Sequence, residues 1–404
     1  MLSTDDLVTT RRKPDAGKLP FMLRSRRLLP IVVATVVVTG FAGCRTPGPG
    51  GPGAPVGGHG PHVRLNEIQV LASHNSYHVE PEPTLLSVLK AFLGEAANGF
   101  EYTHRPLATE LDAGVRQIEL DVFVDDPAGG RYAQPVLVTA LELDPVDVAL
   151  NEPGLKVFHV QEVDYRSTCP TFVDCLTQVR DWSDAHPGHL PVTIQIEAKD
   201  GGIADPGLGF VTPLPWTAAA FGTLEAEIGS VFAPDRVLTP AEVRGRSATL
   251  TEAVQAGRWP RLDAARGQVL FVLDDKGAKR DAYRTQVADL ADRSIFVDVP
   301  ATDPDAAMMV VNDPIGDAER IRSLVADGFI VRTRADADTV QARAGDTTLR
   351  DAALASGAQY VSTDYVFPDD RFGTGYVVDL PGDTAARCNP VNAPRRCARA
   401  DLSG

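Results

Sequence analysis

VRQIELDV, from Val115 to Val122, is rich in β-branched and apolar residues, yet carries Glu119 and Asp121 two positions apart. It reads as a strand, and a spacing of two puts both carboxylates on one face. Similar runs recur along the chain: IQVL at 68–71, LKVFHV at 155–160, VTIQIEA at 192–198, QVLFVL at 268–273, AMMVV at 307–311, FIVRT at 329–333 and QYVST at 359–363. SIFVDV at 294–299 competes with AMMVV for one strand position. Helical or irregular sequence separates most of them, as after Glu82, from Cys169, and from Asp281, Asp317 and Thr348, and several of these segments stop at glycine. Eight strands alternating with helices predict an α/β fold, a TIM-type (β/α)8 barrel open to distortion. Residues 200–260 read as an insertion after strand 4, with proline opening a short helix at LTPAEVRG.

The polar residues that interrupt these runs cluster at one end of them. His74 and Asn75 in ASHNSYHV follow the first run, His159 closes the third and Glu197 lies near the end of the fourth. In a β/α barrel the carboxyl ends of the strands share one rim, where active sites form. Each residue has a plainer role as well: a histidine bonded to a carbonyl, or Glu119 and Asp121 paired with Arg116 or Lys156. Three carboxylates and an amide brought together repel unless a cation joins them, and oxygen donors suit calcium or magnesium. Two histidines beside a hard cation are the parts of phosphodiester cleavage. Lys199, on the same face as Glu197, reads as a phosphate or ring-oxygen contact or as a salt-bridge partner. Arg332 and Tyr360, on late strands, are expected to shape a polar substrate pocket, and Asp364 to contribute to it or to cap a loop. Ser76 and Tyr77 read as turn supports and His78 as solvent-facing.

The ends of the chain bear on location. Arg11, Arg12, Lys13, Lys18, Arg24, Arg26 and Arg27 precede LLPIVVATVVVTGFAG, sixteen uncharged residues ending in small side chains before Cys44. Residues 1–44 therefore read as an export signal, with a lipoprotein ending in which Cys44 is the lipidation site; ordinary cleavage or an uncleaved anchor are the alternatives. Residues 45–61 form a Pro/Gly-rich tether, 62–370 the catalytic barrel and 371–404 a closing tail. Export makes disulfides natural, and the remaining cysteines fall as Cys169 with Cys175 and Cys388 with Cys397. The 404-residue chain is 44% hydrophobic, enough for a large core, with a net charge of −15. Removing residues 1–43, with seven basic and three acidic residues, moves that balance to −19. So acidic a domain is a poor nonspecific binder of nucleic acid.

ASHNSY, GVRQIELDV, VFHV and IQIEAKD, in this order, resemble the calcium-dependent phosphoinositide-specific phospholipase C family, in particular its bacterial single-domain branch, across roughly residues 65–365. RTRAD and STDY add to the likeness. The resemblance implies calcium held by Asn75, Glu119, Asp121 and Glu197, with His74 and His159 catalytic. It also implies attack of the inositol 2-hydroxyl on its own phosphodiester, giving diacylglycerol and inositol 1,2-cyclic phosphate, with His159 as acid to the leaving oxygen. Phosphatidylinositol in a phospholipid membrane surface is the expected substrate and a monomer the expected state. The alternatives are a glycerophosphodiester phosphodiesterase or lysophospholipase D on a similar barrel, and a tethered surface protein that binds without catalysis.

Overall fold

The computed structural model describes residues 63–285, 288–382, 384–399 and Leu402. The export signal, Cys44 and the tether lie outside the described residues. Among the described residues ten strands run in chain order: β1 (Ile68–Ser73), β2 (Val115–Phe123), β3 (Lys156–Val157), β4 (Val192–Lys199), β5 (Val269–Leu273), β6 (Ile295–Val297), β7 (Met308–Val310), β8 (Ile330–Arg334), β9 (Tyr360–Thr363) and β10 (Ala386–Cys388). Eight of them form one parallel sheet in the order β6-β5-β4-β2-β1-β9-β8-β7. The two ends of that order meet through a single parallel bridge, Asp298 to Met308, so the barrel is nearly closed and distorted.

The eight runs expected to build the barrel include one that does not. LKVFHV contributes β3, a two-residue arm antiparallel to the end of β2 through Val122 with Val157 and Phe123 with Lys156. SIFVDV and AMMVV are both strands and do not compete for one position. The arm is held by a small apolar cluster in which Phe123 stacks on Phe158 at 4.1 Å and Tyr132 closes edge-on. Its consequence is positional: His159 reaches the rim without belonging to a barrel strand.

Alternation along the strands sorts side chains between two environments. Ile118, Leu120 and Val122 on β2 and Ile194, Ile196 and Ala198 on β4 are buried in the main apolar core. Their neighbours Gln117, Glu119 and Asp121, and Thr193, Gln195, Glu197 and Lys199, point the other way, into the barrel. Two bonds between strands that are not neighbours cross that interior: Thr193 on β4 with Tyr360 on β9, and Glu119 on β2 with Arg332 on β8. The lumen is therefore polar, with amides, Thr193 and Tyr360 at the strand starts and charged groups toward the strand ends.

The connection after β4 is long, with an irregular stretch and then helices Ala218–Val231, Pro240–Arg244, Leu250–Gln255 and Leu262–Ala265. Pro240 at a helix start is preceded by Thr239, which with Glu242 forms a reciprocal cap. β10 pairs antiparallel with the start of β1, and Cys388 is disulfide-bonded to Cys397 just beyond it. Cys169 and Cys175 bridge the start of the helix Phe172–Ala185.

Candidate active site

β1 ends in a turn that Asn75 makes possible. Its φ of 45° lies in the left-handed region, which asparagine tolerates better than most residues. The turn closes when the His78 amide donates to the Asn75 carbonyl at 2.8 Å. Ser76 then locks it to β2: its amide donates to the Glu119 carbonyl at 3.0 Å, and its Oγ accepts from the Glu119 amide at 2.9 Å. The expected supporting role of Ser76 is met by two bonds to the strand that carries the acids.

His74 reaches across to the strand that closes the barrel on the other side. Its Nδ1 donates to Asp364 Oδ1 at 2.6 Å, and Arg334 Nη1 donates to its Nε2 at 3.1 Å. An arginine has no acceptor, so the Nε2 it addresses must carry the lone pair. Burial holds the imidazole well below its ordinary pKa, Arg334 adds to the effect, and Asp364 opposes it. His74 is thus held toward the neutral imidazole, with its accepting nitrogen defined. Asp364 is held below the usual carboxylate range: burial opposes that, but His74 and Arg334 outweigh it. Asp336 supports it from behind, accepting from the Asp364 amide at 2.9 Å and from Thr363 Oγ1.

His159 has a different arrangement. Its Nδ1 donates to Asp164 Oδ2 at 2.7 Å, and the partner lies five residues on because residues 160–164 fold back on themselves. Val160 and Asp164 exchange amide-carbonyl bonds of 2.9 Å, with Glu162 at φ 67°. Glu162 anchors this turn, accepting from the amides of Val136 at 2.6 Å and Val211 at 3.0 Å. Asp164 is also bonded by His78 Nε2 at 2.8 Å, while His78 Nδ1 meets the Tyr102 carbonyl at 3.0 Å and the His78 ring stacks on Tyr102 at 4.2 Å. His78 is therefore fully buried, correcting its reading as a solvent-facing residue. Burial lowers the pKa of His159, with Asp164 pulling in the other direction.

The acids form a cluster of their own. One oxygen from each of Glu119, Asp121 and Glu197 falls within 4.8 Å of the others. Asn75 donates its Nδ2 to the Tyr102 hydroxyl at 3.1 Å, which fixes the amide and leaves its buried Oδ1 without a hydrogen bond; Asp121 Oδ1 is also buried without one. A carboxylate cluster with an orphaned buried oxygen, and a buried amide oxygen at Asn75 that is also orphaned, are the donor chemistry of a hard divalent cation. Asp121 titrates well above its ordinary value because of burial, with Glu197 and Glu119 adding to it and Lys199 opposing it. The Lys199 ammonium lies 3.0 Å from Glu197 Oε1 and 3.2 Å from Asp121 Oδ2. That is the salt-bridge alternative for this residue.

The remaining expectations divide. Arg332 is buried and donates to Glu119 Oε2 at 2.6 Å, Asn312 Oδ1 at 2.6 Å and Ser362 Oγ at 3.0 Å, so it stands in the site as a structural cation. Tyr360 does not reach the rim: it lies at the start of β9 and bonds Thr193 across the lumen at 2.7 Å, correcting its assignment to substrate binding. Arg116 and Lys156 do not serve the acids either, since Arg116 donates to the Leu111 and Val115 carbonyls and Lys156 pairs with Asp125 at 3.0 Å. Sequence reasoning missed Arg334 and Asp164. RTRAD does place Arg334 on the same strand face as Arg332, and HVQEVD holds Asp164 within a turn's reach of His159.

The chain matches the family model for phosphoinositide phospholipase C, Ca2+-dependent, over residues 63–390. Comparison with curated proteins gives no match. Among solved structures, it is similar to the Ca2+-dependent phosphatidylinositol-specific phospholipase C of Streptomyces antibioticus at 20% identity and a TM-score of 0.47, covering 75% of this chain and 95% of that one. A calcium-dependent phosphoinositol-specific phospholipase C from Pseudomonas sp gives 18% identity and 0.48, covering 81% and 96%. The phosphatidylinositol-specific phospholipase C of Listeria monocytogenes gives 8% and 0.40, covering 77% and 92%.

Proposed function

The chain belongs to the calcium-dependent phosphoinositide phospholipase C family, and on that premise we propose that it cleaves phosphatidylinositol by attack of the inositol 2-hydroxyl on the adjoining phosphodiester, releasing diacylglycerol and inositol 1,2-cyclic phosphate. It is a calcium-dependent, phosphodiester-cleaving enzyme. The observation that carries the mechanism is the unequal dress of the two histidines. Both carry a carboxylate on Nδ1, but Arg334 bonds the Nε2 of His74, whereas among the described residues no cation is bonded to the Nε2 of His159.

His74 Nε2 accordingly accepts the proton of the 2-hydroxyl, and Asp364 holds the ring in the tautomer that permits it. Arg334, already at that nitrogen, is placed to take a phosphoryl oxygen. His159 Nε2 delivers a proton to the departing glycerol oxygen, with Asp164 holding the ring. The phosphodiester's negative charge favours the imidazolium and offsets the burial that lowers its pKa. Asn75 Oδ1, Glu119, Asp121 and Glu197 would hold the calcium ion. Bound there, it supplies a Lewis acid that withdraws charge from a phosphoryl oxygen and lowers the pKa of a coordinated hydroxyl. Because nucleophile and electrophile belong to one molecule, the attack keeps the entropic advantage of an intramolecular reaction.

Location and partners are part of the same reading. The basic segment, the sixteen uncharged residues and Cys44 support export and lipid attachment, which would hold a monomeric enzyme at a membrane surface where its substrate lies. The acidic balance gives nucleic acid no place among its partners. Mass analysis of the mature amino end should find a diacylated Cys44; a free terminus elsewhere defeats lipidation. For the reaction, phosphorus NMR of phosphatidylinositol treated with the purified chain should show a cyclic inositol phosphate with calcium and none after chelation. Phosphatidic acid with free inositol in its place, or glycerol 3-phosphate released from deacylated glycerophosphoinositol, would assign the chain to water-based phosphodiester hydrolysis.

A further inference from the structure

Lys199 is the charged group of the site that the reaction leaves without a task. It follows Glu197 by two residues on β4, so the strand sends both side chains into the barrel. Its side chain is only 8% exposed, and its ammonium bridges Glu197 Oε1 at 3.0 Å and Asp121 Oδ2 at 3.2 Å. Trp216 Nε1 donates to the Lys199 carbonyl at 3.1 Å, which fixes the backbone and leaves the four-carbon stem to set where the charge lies. Arg332 is unlike it, because Asn312 and Ser362 hold that guanidinium along with Glu119.

We infer that Lys199 is a tethered cation that competes with calcium for Asp121 and Glu197 and so sets the affinity of the site; the inference rests on those residues being the calcium ligands. Calcium takes carboxylate oxygens in direct contact, at about 2.3–2.6 Å, and a monovalent cation on the same oxygens must be displaced or must repel it. The ammonium offsets the mutual repulsion of the buried acids, and calcium binding carries the cost of moving it. The site is thereby weakened toward calcium while its apoprotein is stabilised.

Calorimetric titration of the full chain with calcium tests this. Lys199→Met and Lys199→Gln, which remove the charge, should each lower the dissociation constant at least about tenfold. Lys199→Arg, which keeps it, should stay within about threefold of the wild type. Equal or weaker binding by both neutral variants overturns the inference while leaving the calcium site intact. Absence of calcium binding by every chain, wild type included, overturns the ligand assignment itself. Should Lys199→Met fail to fold without calcium, the calcium-induced rise in Tm of Lys199→Gln decides. A larger rise than in the wild type at the same calcium concentration supports competition, and an equal or smaller one defeats it.

Discussion

The two histidine-carboxylate pairs are chemically alike and architecturally opposite. His74 and Asp364 are 290 residues apart, and β1 and β9 bring them together, with Ser73 in register with Thr363. His159 and Asp164 are five residues apart, and a local turn on a two-residue arm brings them together. The first pair has an arginine on the far ring nitrogen; the second shares its carboxylate with another histidine. The same dyad can thus be tuned toward base or acid by what sits on its other side.

The sharpest way to break this comparison is to remove each ring. His74→Ala and His159→Ala should each lower kcat on phosphatidylinositol by about 10^4-fold, measured by product release at saturating calcium. A residual rate within tenfold of wild type for either removes that histidine from the chemistry. Exchanging the carboxylates is the next largest effect. Asp364→Asn should lower kcat about 10^3-fold by spoiling the tautomer of the base, and Asp164→Asn about 10^2-fold, because His78 and the turn still hold the side chain at 164 beside the ring. The reverse order would place the stronger tautomer requirement on His159.

His78→Phe keeps the stack on Tyr102 and drops the bond to Asp164, so denaturant unfolding should show a loss of about 2 kcal/mol, and kcat should fall about tenfold. The pH profile probes Arg334. A His74 pKa lowered from 6.5 leaves the base neutral, and active, down to more acidic pH, so the acid limb of kcat/KM should lie below 6.5. Arg334→Met removes a cation that disfavours protonation, and the limb should move up by about one unit. No movement would show that Arg334 does not set the state of His74.

These contrasts also explain what the sequence could disclose. Barrel strands with sustained alternation, such as VRQIELDV and VTIQIEA, were legible, and with them the faces of Glu119, Asp121 and Glu197. LKVFHV was not, because apolar periodicity marks an extended segment and says nothing about the direction of its pairing. β6 and β7 have three residues each, too few for period two to separate one strand from two. Closure of the barrel puts the first strand beside the last, so STD after QYV held a signal for Asp364 that its spacing from His74 concealed. The depth of Tyr360 was legible in its place second in QYVST, at the amino end of a strand whose carboxyl end meets the rim, and residue type alone misdirected its assignment. Asp164 was hidden by a tight turn in which Glu162 takes a left-handed conformation, and His78 by the turn after β1; neither turn carries a glycine or proline to announce it.

Division of labour between the two pairs is best tested by changing the leaving group. An inositol phosphodiester with a nitrophenolate leaving group departs without a proton, whereas the glycerol oxygen of the natural lipid needs one. His159→Ala should recover most of its lost rate on the activated substrate, while His74→Ala remains as impaired as on the lipid. Equal losses for both variants on both substrates, or recovery by His74→Ala instead, would contradict the assignment of His74 as base and His159 as acid.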